Sequence, residues 1–482
     1  MSAELRELLR AAGDAMPPAR LPDDLWRRGR RRRTRQRVAV AAVLVLVAVL
    51  AVPWVARPAR LPSGAGGAAV PGKVFVPWMW QATVDQAPAG PASVLFSGTG
   101  SLGLSGPDMI DDEGKIAVVG RDGSYRMLLF GGAAVTAGET ASVSPDGRYV
   151  ATGDLGTAAG LNIVDLVTGR VRRLAGPDGA DCCVESVGWS RDGRSLLGLA
   201  HHRMPDHFDA KGNGIVRATL VLFDVPTGAT TPLAEYPDMM LLRRESLAAF
   251  SPDGARIAVT VGSELRVLDR SGATVWTREL GPRRHLVGVG AFTPDGARIA
   301  TATLDGCLRP CDAGQLAARR WTFGYVDAAT GADTAGPDLP AVTGMAVRGL
   351  GWRHGTDLVT LVVRPSPGGS TGPDAQPDTD YYLAEHARLL AVTPGGGTET
   401  LLDPPNGVQA VDVPLDLLEA GRFGGPAVPP DWFPVRPWFV LLAALPAFPA
   451  SWLLVALWFG WRRRSQIRTI ILYGGTPPGA RR

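Results

Sequence analysis

Ser251-Pro252-Asp253-Gly254, followed by the strand-like run Arg256-Ile257-Ala258-Val259, decides the fold, because the chain writes this unit four times. The other copies are Ser144-Pro145-Asp146-Gly147 before Arg148-Tyr149-Val150-Ala151, Ser190-Arg191-Asp192-Gly193 before Arg194-Ser195-Leu196-Leu197, and Thr293-Pro294-Asp295-Gly296 before Arg298-Ile299-Ala300-Thr301. Each residue has a mechanical reason to be there. Proline presets φ for the first corner, Asp hydrogen-bonds nearby backbone, and Gly takes the left-handed position that releases the chain into the next strand. Asp146, Gly147, Asp192, Gly193, Asp253, Gly254, Asp295 and Gly296 therefore read as structural turn residues that set register and nothing more.

Around each turn lies a larger unit. A short apolar stretch precedes it, and two strands follow, the second ending in Asp (Asp165, Asp224, Asp269, Asp327). A Thr-Gly or Ser-Gly turn and, in most copies, a further strand complete the unit. Four strands make one propeller blade. The aspartates of successive turns are 46, 61 and 42 residues apart. The shorter spacings match a blade period of roughly 40–45 residues, and an insertion accounts for the longer one. Worn copies flank the clear ones. Val74–Val76, Ser93–Phe96, Lys115–Val119 and Tyr125–Phe130 supply strands for a degenerate first blade, and residues 350–402 supply a last one. The expectation is an all-β chain: a β-propeller of six four-stranded blades, or seven if residues 74–130 and 403–428 divide differently.

The Ser-Pro-Asp-Gly turn with its Ile-Ala strand and Asp-terminated partner resembles the TolB-type repeat, a relative of WD40 repeats. The likeness covers about 141–340 well and 74–410 loosely. The Gly-His and Trp-Asp dipeptides of true WD40 repeats are absent. The resemblance implies protein–protein contact in the cell envelope. The Ala-, Arg- and Gly-rich composition also resembles that of proteins from high-GC actinobacteria.

Charge divides the 482 residues unevenly. Residues 1–37 carry 11 Arg against 5 acids, and residues 462–482 carry 6 Arg and no acid. The two ends together hold +12 against +4 for the whole chain, which leaves about −8 on the residues between. Basic ends on an acidic middle argue against nucleic acid as a partner and suit a membrane protein with both ends on one side. Residues 38–56 and 437–461 are uncharged and long enough to span hydrocarbon, and Trp438 and Trp461 stand at the edges of the second. Eight arginines between 27 and 37 directly precede the first segment, against Arg57 and Arg60 after it, and Arg462-Arg463-Arg464 follow the second. Both counts put the chain ends in the cytoplasm. The expected organisation has seven parts: a basic tail with a short amphipathic helix (1–37), transmembrane helix 1 (38–56), a linker (57–72) and an extracytoplasmic propeller (73–412). A Pro/Gly-rich linker (413–436), transmembrane helix 2 (437–461) and a second basic tail (462–482) follow. A cleaved leader is the competing reading of 38–56, and the long charged stretch before it argues against one.

Candidate chemistry is sparse. Four cysteines fall in the outward-facing part, Cys182, Cys183, Cys307 and Cys311. An even count in an oxidising compartment favours disulfides. Cys307 with Cys311 is the favoured pair, and cross-pairing to Cys182 or Cys183 would need both insertions on one rim. His201, His202 and His207, with Asp206 and Asp209 nearby, are of the types that bind Zn²⁺ or Cu²⁺. Their spacing matches no common zinc motif, so a solvated loop is the preferred reading. No HExxH helix or GxxxxGK[ST] loop occurs. No catalytic residue, metal or cofactor is therefore assigned.

The sequence supports a membrane-anchored binding module whose ligand is a protein or cell-envelope component. The interruptions of the repeat at 200–215, 304–320 and 364–384 are its candidate surface, since binding collects on loops held by a rigid scaffold. Two alternatives differ in class. One is a transmembrane sensor or regulator signalling through residues 1–37 to a cytoplasmic partner. The other is an enzyme with its site in the propeller channel.

Overall fold

The middle strands of a propeller blade are covered on both faces by neighbouring blades, so they can be apolar throughout, whereas the outermost strand meets water. The computed structural model of the chain follows that gradient. It describes residues 69–432, apart from residue 79 and segments 99–112, 132–135, 154–159, 178–183, 209–213, 240–247 and 372–382. Among the described residues no helix is long and apolar enough to cross a membrane. The expected spans 38–56 and 437–461 and the basic tails lie outside the described residues.

Six antiparallel sheets follow one another around the ring. Blade 1 takes β1 (Ala92–Gly98), β2 (Glu113–Gly120) and β3 (Tyr125–Gly131). Blade 2 is β4 (Ala141–Val143), β5 (Tyr149–Gly153), β6 (Gly160–Asp165) and β7 (Val171–Ala175). Blade 3 is β8 (Val184–Trp189), β9 (Ser195–Phe208), β10 (Gly214–Asp224) and β11 (Thr230–Met239). Blade 4 is β12 (Ala248–Phe250), β13 (Arg256–Val261), β14 (Glu264–Asp269) and β15 (Thr274–Glu279). Blade 5 is β16 (Arg284–Leu286), β17 (Arg298–Asp305), β18 (Arg320–Asp327) and β19 (Asp333–Thr334), with β20 (Val342–Thr343) also on β18. Blade 6 is β21 (Ala346–Arg353), β22 (Asp357–Pro365), β23 (Ala384–Val392) and β24 (Thr398–Leu402). The last strand, β25 (Val408–Asp412), pairs with β1 and completes blade 1 from the far end of the chain.

That closure corrects two expectations. Val74–Val76 is not a strand of the first blade; β25 takes the innermost place instead. Residues 403–428 add that strand and a helix rather than a seventh blade, and the count is six. Blade 5 also departs from the repeat as read. Its innermost strand is β16, before Val289–Phe292, and Phe292 only bridges to Ile299.

All seven residues of β1 are buried, while Val171-Arg172-Arg173 at the outer edge of blade 2 are exposed. The apolar contacts lie between blades: Leu95, Ile116 and Val118 of blade 1 meet Val143, Val150 and Val164 of blade 2. Leu197, Leu220 and Leu222 of blade 3 likewise meet Ile257, Val259 and Leu268 of blade 4.

The turns behave as their chemistry requires. The hydroxyl of Ser251 donates to Asp253 Oδ1 at 2.5 Å, and the same oxygen accepts from the amide of Ala255 at 3.0 Å. Thr293 and Asp295 repeat this at 2.6 Å. Gly147, Gly193, Gly254 and Gly296 have φ between 67° and 73°, the left-handed region that favours glycine. The Asp-terminated strands close alike: Asp224 Oδ1 accepts from the amide and the hydroxyl of Thr227 at 2.9 and 2.6 Å.

Because the strands alternate in direction, the first and third connections of every blade lie on one face. The second connections, and the links between blades, lie on the other. The Ser-Pro-Asp-Gly and Asp…Thr-Gly turns therefore share a turn face. The connection 306–319 of blade 5 and the described residues 366–371 and 383 of blade 6 belong to second connections and share the opposite face.

Candidate functional site

The ring encloses a cavity of about 120 Å³ on its axis. Its wall is built by the repeat. Trp189, Phe250, Phe292 and Trp352 each stand immediately before a turn, and the second residues of four turns, Pro145, Arg191, Pro252 and Pro294, line the same cavity. The second residues of these turns thus shape the mouth of the central cavity, while the turn aspartates and glycines are not among its lining residues. The indoles also tie neighbouring blades. Trp189 Nε1 donates to the Ser142 carbonyl at 3.2 Å and Trp352 Nε1 to that of Gly290 at 2.9 Å.

Protein lies across the mouth of the cavity. Blade 1 has no turn from its innermost to its second strand, because those strands come from opposite ends of the chain. The chain leaving β25 crosses the mouth instead as α2 (Leu415–Glu419); α1 (Ala313–Ala317) lies on the opposite face. Leu417 and Leu418 are buried, and Leu418 packs against Gly351. The helix is fastened to four blades. Asp416 donates its amide to the Pro145 carbonyl and pairs with Arg121 at 2.7 Å, Glu419 pairs with Arg191 at 2.6 Å, and the Glu419 carbonyl accepts from His354 at 3.2 Å. Burial pushes the Glu419 carboxyl up, and Arg191 opposes it.

The guanidinium of Arg348 lies against Gly138, where a Cβ would come within 1.9 Å of Nη2. Asp412, on the cavity wall, lies 3.8 Å from that guanidinium and accepts the amide of Val143 at 2.8 Å. Burial pushes the Asp412 carboxyl up, and Arg348 and two backbone amides only partly offset it. Neither residue belongs to a repeated motif, and the sequence reading singled out neither. The cavity's carboxylates are thus engaged by arginines and backbone, which suits closure of a scaffold more than acid–base chemistry.

The opposite face carries a built platform. Cys307 and Cys311 form a disulfide with an S–S distance of 2.08 Å, as expected for that pair. Behind it, the buried guanidinium of Arg319 donates to the carbonyls of Cys307 (2.9 Å), Leu308 (2.8 Å) and Met345 (3.1 Å). The Cys311 amide donates to Thr371 Oγ1 at 2.8 Å, and Asp312 bridges to Ser370. Insertions of blades 5 and 6 are thereby joined into one surface. Cys182 and Cys183 lie outside the described residues.

The metal candidates are not gathered. His201 is buried with Nε2 3.5 Å from Glu185, whereas the next residue, His202, contacts Thr219 Oγ1 at 3.0 Å. Successive side chains of a strand point to opposite faces, so the two imidazoles diverge. His207 lies further along β9, its side chain outside the described residues. Among the described residues no group of three His, Cys, Asp or Glu side chains could hold a metal.

No protein-family model matches the chain, and no curated protein does. Solved structures do resemble it. TolB from Acinetobacter baumannii has 16% identity and a TM-score of 0.38 over 67% of this chain and 66% of that one. Kuenenia stuttgartiensis hydrazine synthase has 15% identity and a TM-score of 0.33 over 55% and 66%. The β-propeller domain of the Trilobed protease from Pyrococcus furiosus, described as having an open velcro topology, has 11% identity and a TM-score of 0.30 over 53% and 68%. The chain spans 66% of the length of each of the first two, just under two thirds. The propeller assignment rests on the strand pairing above, not on these likenesses.

Proposed function

We propose that this chain is a membrane-anchored, extracytoplasmic propeller that binds a protein or cell-envelope component through its insertion face. One observation carries the reading. The insertion of blade 5 and the described part of that of blade 6 lie on one face and are joined by Cys311–Thr371 and Asp312–Ser370 contacts beside a disulfide. Loops made rigid before binding lose less conformational freedom on association, which is how a scaffold presents a recognition surface. The uncharged segments 38–56 and 437–461, with their flanking arginines, support the anchor and the outward placement.

Two measurements test this. The exposed Lys73 should react with a membrane-impermeant amine reagent applied to intact cells; reaction only after lysis overturns the placement. A photoreactive residue at Arg309 on the insertion face should form a discrete adduct in cells, and one at Ala255 on the turn face should not. Equal adducts from both positions, or none from Arg309, overturn the assignment of the binding face.

A further inference from the structure

Trp78, Trp80 and Trp432 form an aromatic cluster that neither the core nor the central cavity uses. Trp78 and Trp80 stack with centroids 5.1 Å apart and planes 3° from parallel, and Trp432 packs against them at 5.4 and 5.6 Å. Two of the three are open to solvent: Trp78 is 39% exposed and Trp432 65%. Large indoles exposed together on a protein surface mark a contact with something outside it.

The position of the cluster says what that is. Residues 69–72 and 422–425 pair in parallel, with Val70 donating to Arg422 at 2.8 Å and Gly425 to Val70 at 2.9 Å, so the segment that enters the propeller and the one that leaves it lie side by side and run in the same direction. The C-terminal tail then passes Gly123, where Val428 packs, and the Pro430 carbonyl accepts from Trp78 Nε1 at 3.3 Å. Gly123 lies in the connection from β2 to β3, on the turn face. The chain therefore departs from the edge of the turn face beside blade 1. Five residues after Trp432 the uncharged segment 437–461 begins, and five residues reach at most about 18 Å. Trp432 cannot lie further than that from the start of this segment.

We infer that the Trp78–Trp80–Trp432 cluster rests in the interfacial layer of a lipid bilayer and seats the propeller turn face down, with the insertion face outward. Indole suits that layer, because its body is apolar and its N–H can meet water or headgroup oxygen. The exposed Lys73, near the same chain exit, adds a cation that complements anionic headgroups. This rests on the membrane anchor proposed above. It adds an orientation: α2 and the cavity mouth face the membrane, while the disulfide platform stands at the far side.

The test is lipid cross-linking of the full chain in nanodiscs of phosphatidylcholine and phosphatidylglycerol. The probe is a lipid with a photoreactive group at the headgroup boundary, and adducts are located by peptide mass spectrometry. The expected result is labelling at 78–80 and 430–432, none at 307–311, and a severalfold loss of the first in W78S/W432S. The exposed position of both indoles keeps that variant folded, which its thermal unfolding checks. Labelling confined to 38–56 and 437–461, with none at the tryptophans, overturns the inference and leaves the anchor standing. Release of the chain from membranes by alkaline carbonate, with no lipid adduct anywhere, instead overturns the anchor. A dimer lost in W78S/W432S, with no lipid adduct at the indoles, assigns the cluster to a second copy and also overturns the inference.

Discussion

Arg348 on the innermost strand of blade 6 and Asp412 on β25 face one another at 3.8 Å, with the Asp412 carboxylate also holding the amide of Val143 in blade 2. This carboxylate therefore binds the two blades on either side of the closing strand. Arg348 Nε and Nη1 have no hydrogen-bond acceptor among the described residues, so the pair is incompletely compensated. Breaking a buried pair from one side leaves a bare charge and costs about 3–5 kcal/mol. D412A should lower stability by that order in urea unfolding. R348M/D412L, which removes both charges together, should lose markedly less. Equal losses in the two variants would show that the pair's charges do not govern closure.

Gly138 offers an independent check on the same place. Its φ of 77° disfavours any side chain, and a Cβ would meet Arg348 Nη2 at 1.9 Å. G138A should destabilise the fold, and R348M should relieve part of the loss. A purely additive double variant would mean that backbone strain alone is responsible.

The plug helix should be separable from the ring. Leu418 is fully buried against Gly351, so L418A should cost about 2–5 kcal/mol. The Arg191–Glu419 pair is partly solvent-exposed, and R191E should cost about 1 kcal/mol. That variant should nonetheless speed hydrogen exchange of the Leu418 and Ala420 amides, leaving the inner strands protected. Unchanged exchange would mean that the buried leucines hold the helix without the charge pair.

Acid should act through the turns. The Ser251 and Thr293 hydroxyls hold the Asp253 and Asp295 carboxyls below their usual range. A depressed carboxylate contributes stability above its unfolded value, near 4, and loses it as pH falls through the lower folded value. The urea midpoint should therefore fall below about pH 4, and fall less in D253N/D295N, whose amides still accept the hydroxyl but do not titrate. An identical acid limb in the variant would place the sensitivity elsewhere.

The disulfide should stiffen the platform without supporting the ring. It closes a loop of only five residues, so the chain-entropy contribution is about 2 kcal/mol. C307S/C311S should raise proteolysis within 306–319 and in the neighbouring stretch at 370–371 while the core strands keep their exchange protection. Loss of the whole propeller would give this bond a wider role.

The blades were legible because each is a local object. Proline, aspartate and glycine at fixed positions make the turn, and apolar runs such as Leu358–Val363 mark strands covered on both faces. Four copies in register therefore determined the propeller, and a separation of four residues favoured Cys307 with Cys311, before any packing was known. Arg348, Asp412 and Arg319 carried no such signal. A buried charge is identified by what surrounds it, and their partners lie on strands or loops up to 269 positions away. Pairing of β25 with β1 joins residues more than 300 positions apart, a contact that no local pattern encodes. Ring closure also decided that the turns frame a cavity, that Cys311 meets Thr371 between blades 5 and 6, and that Trp78 meets Trp432. The sequence by itself determined the blade, since a blade is made by neighbours along the chain. Only the tertiary structure decided the closing strand, the plug and the two faces, because they arise when the first blade meets the last.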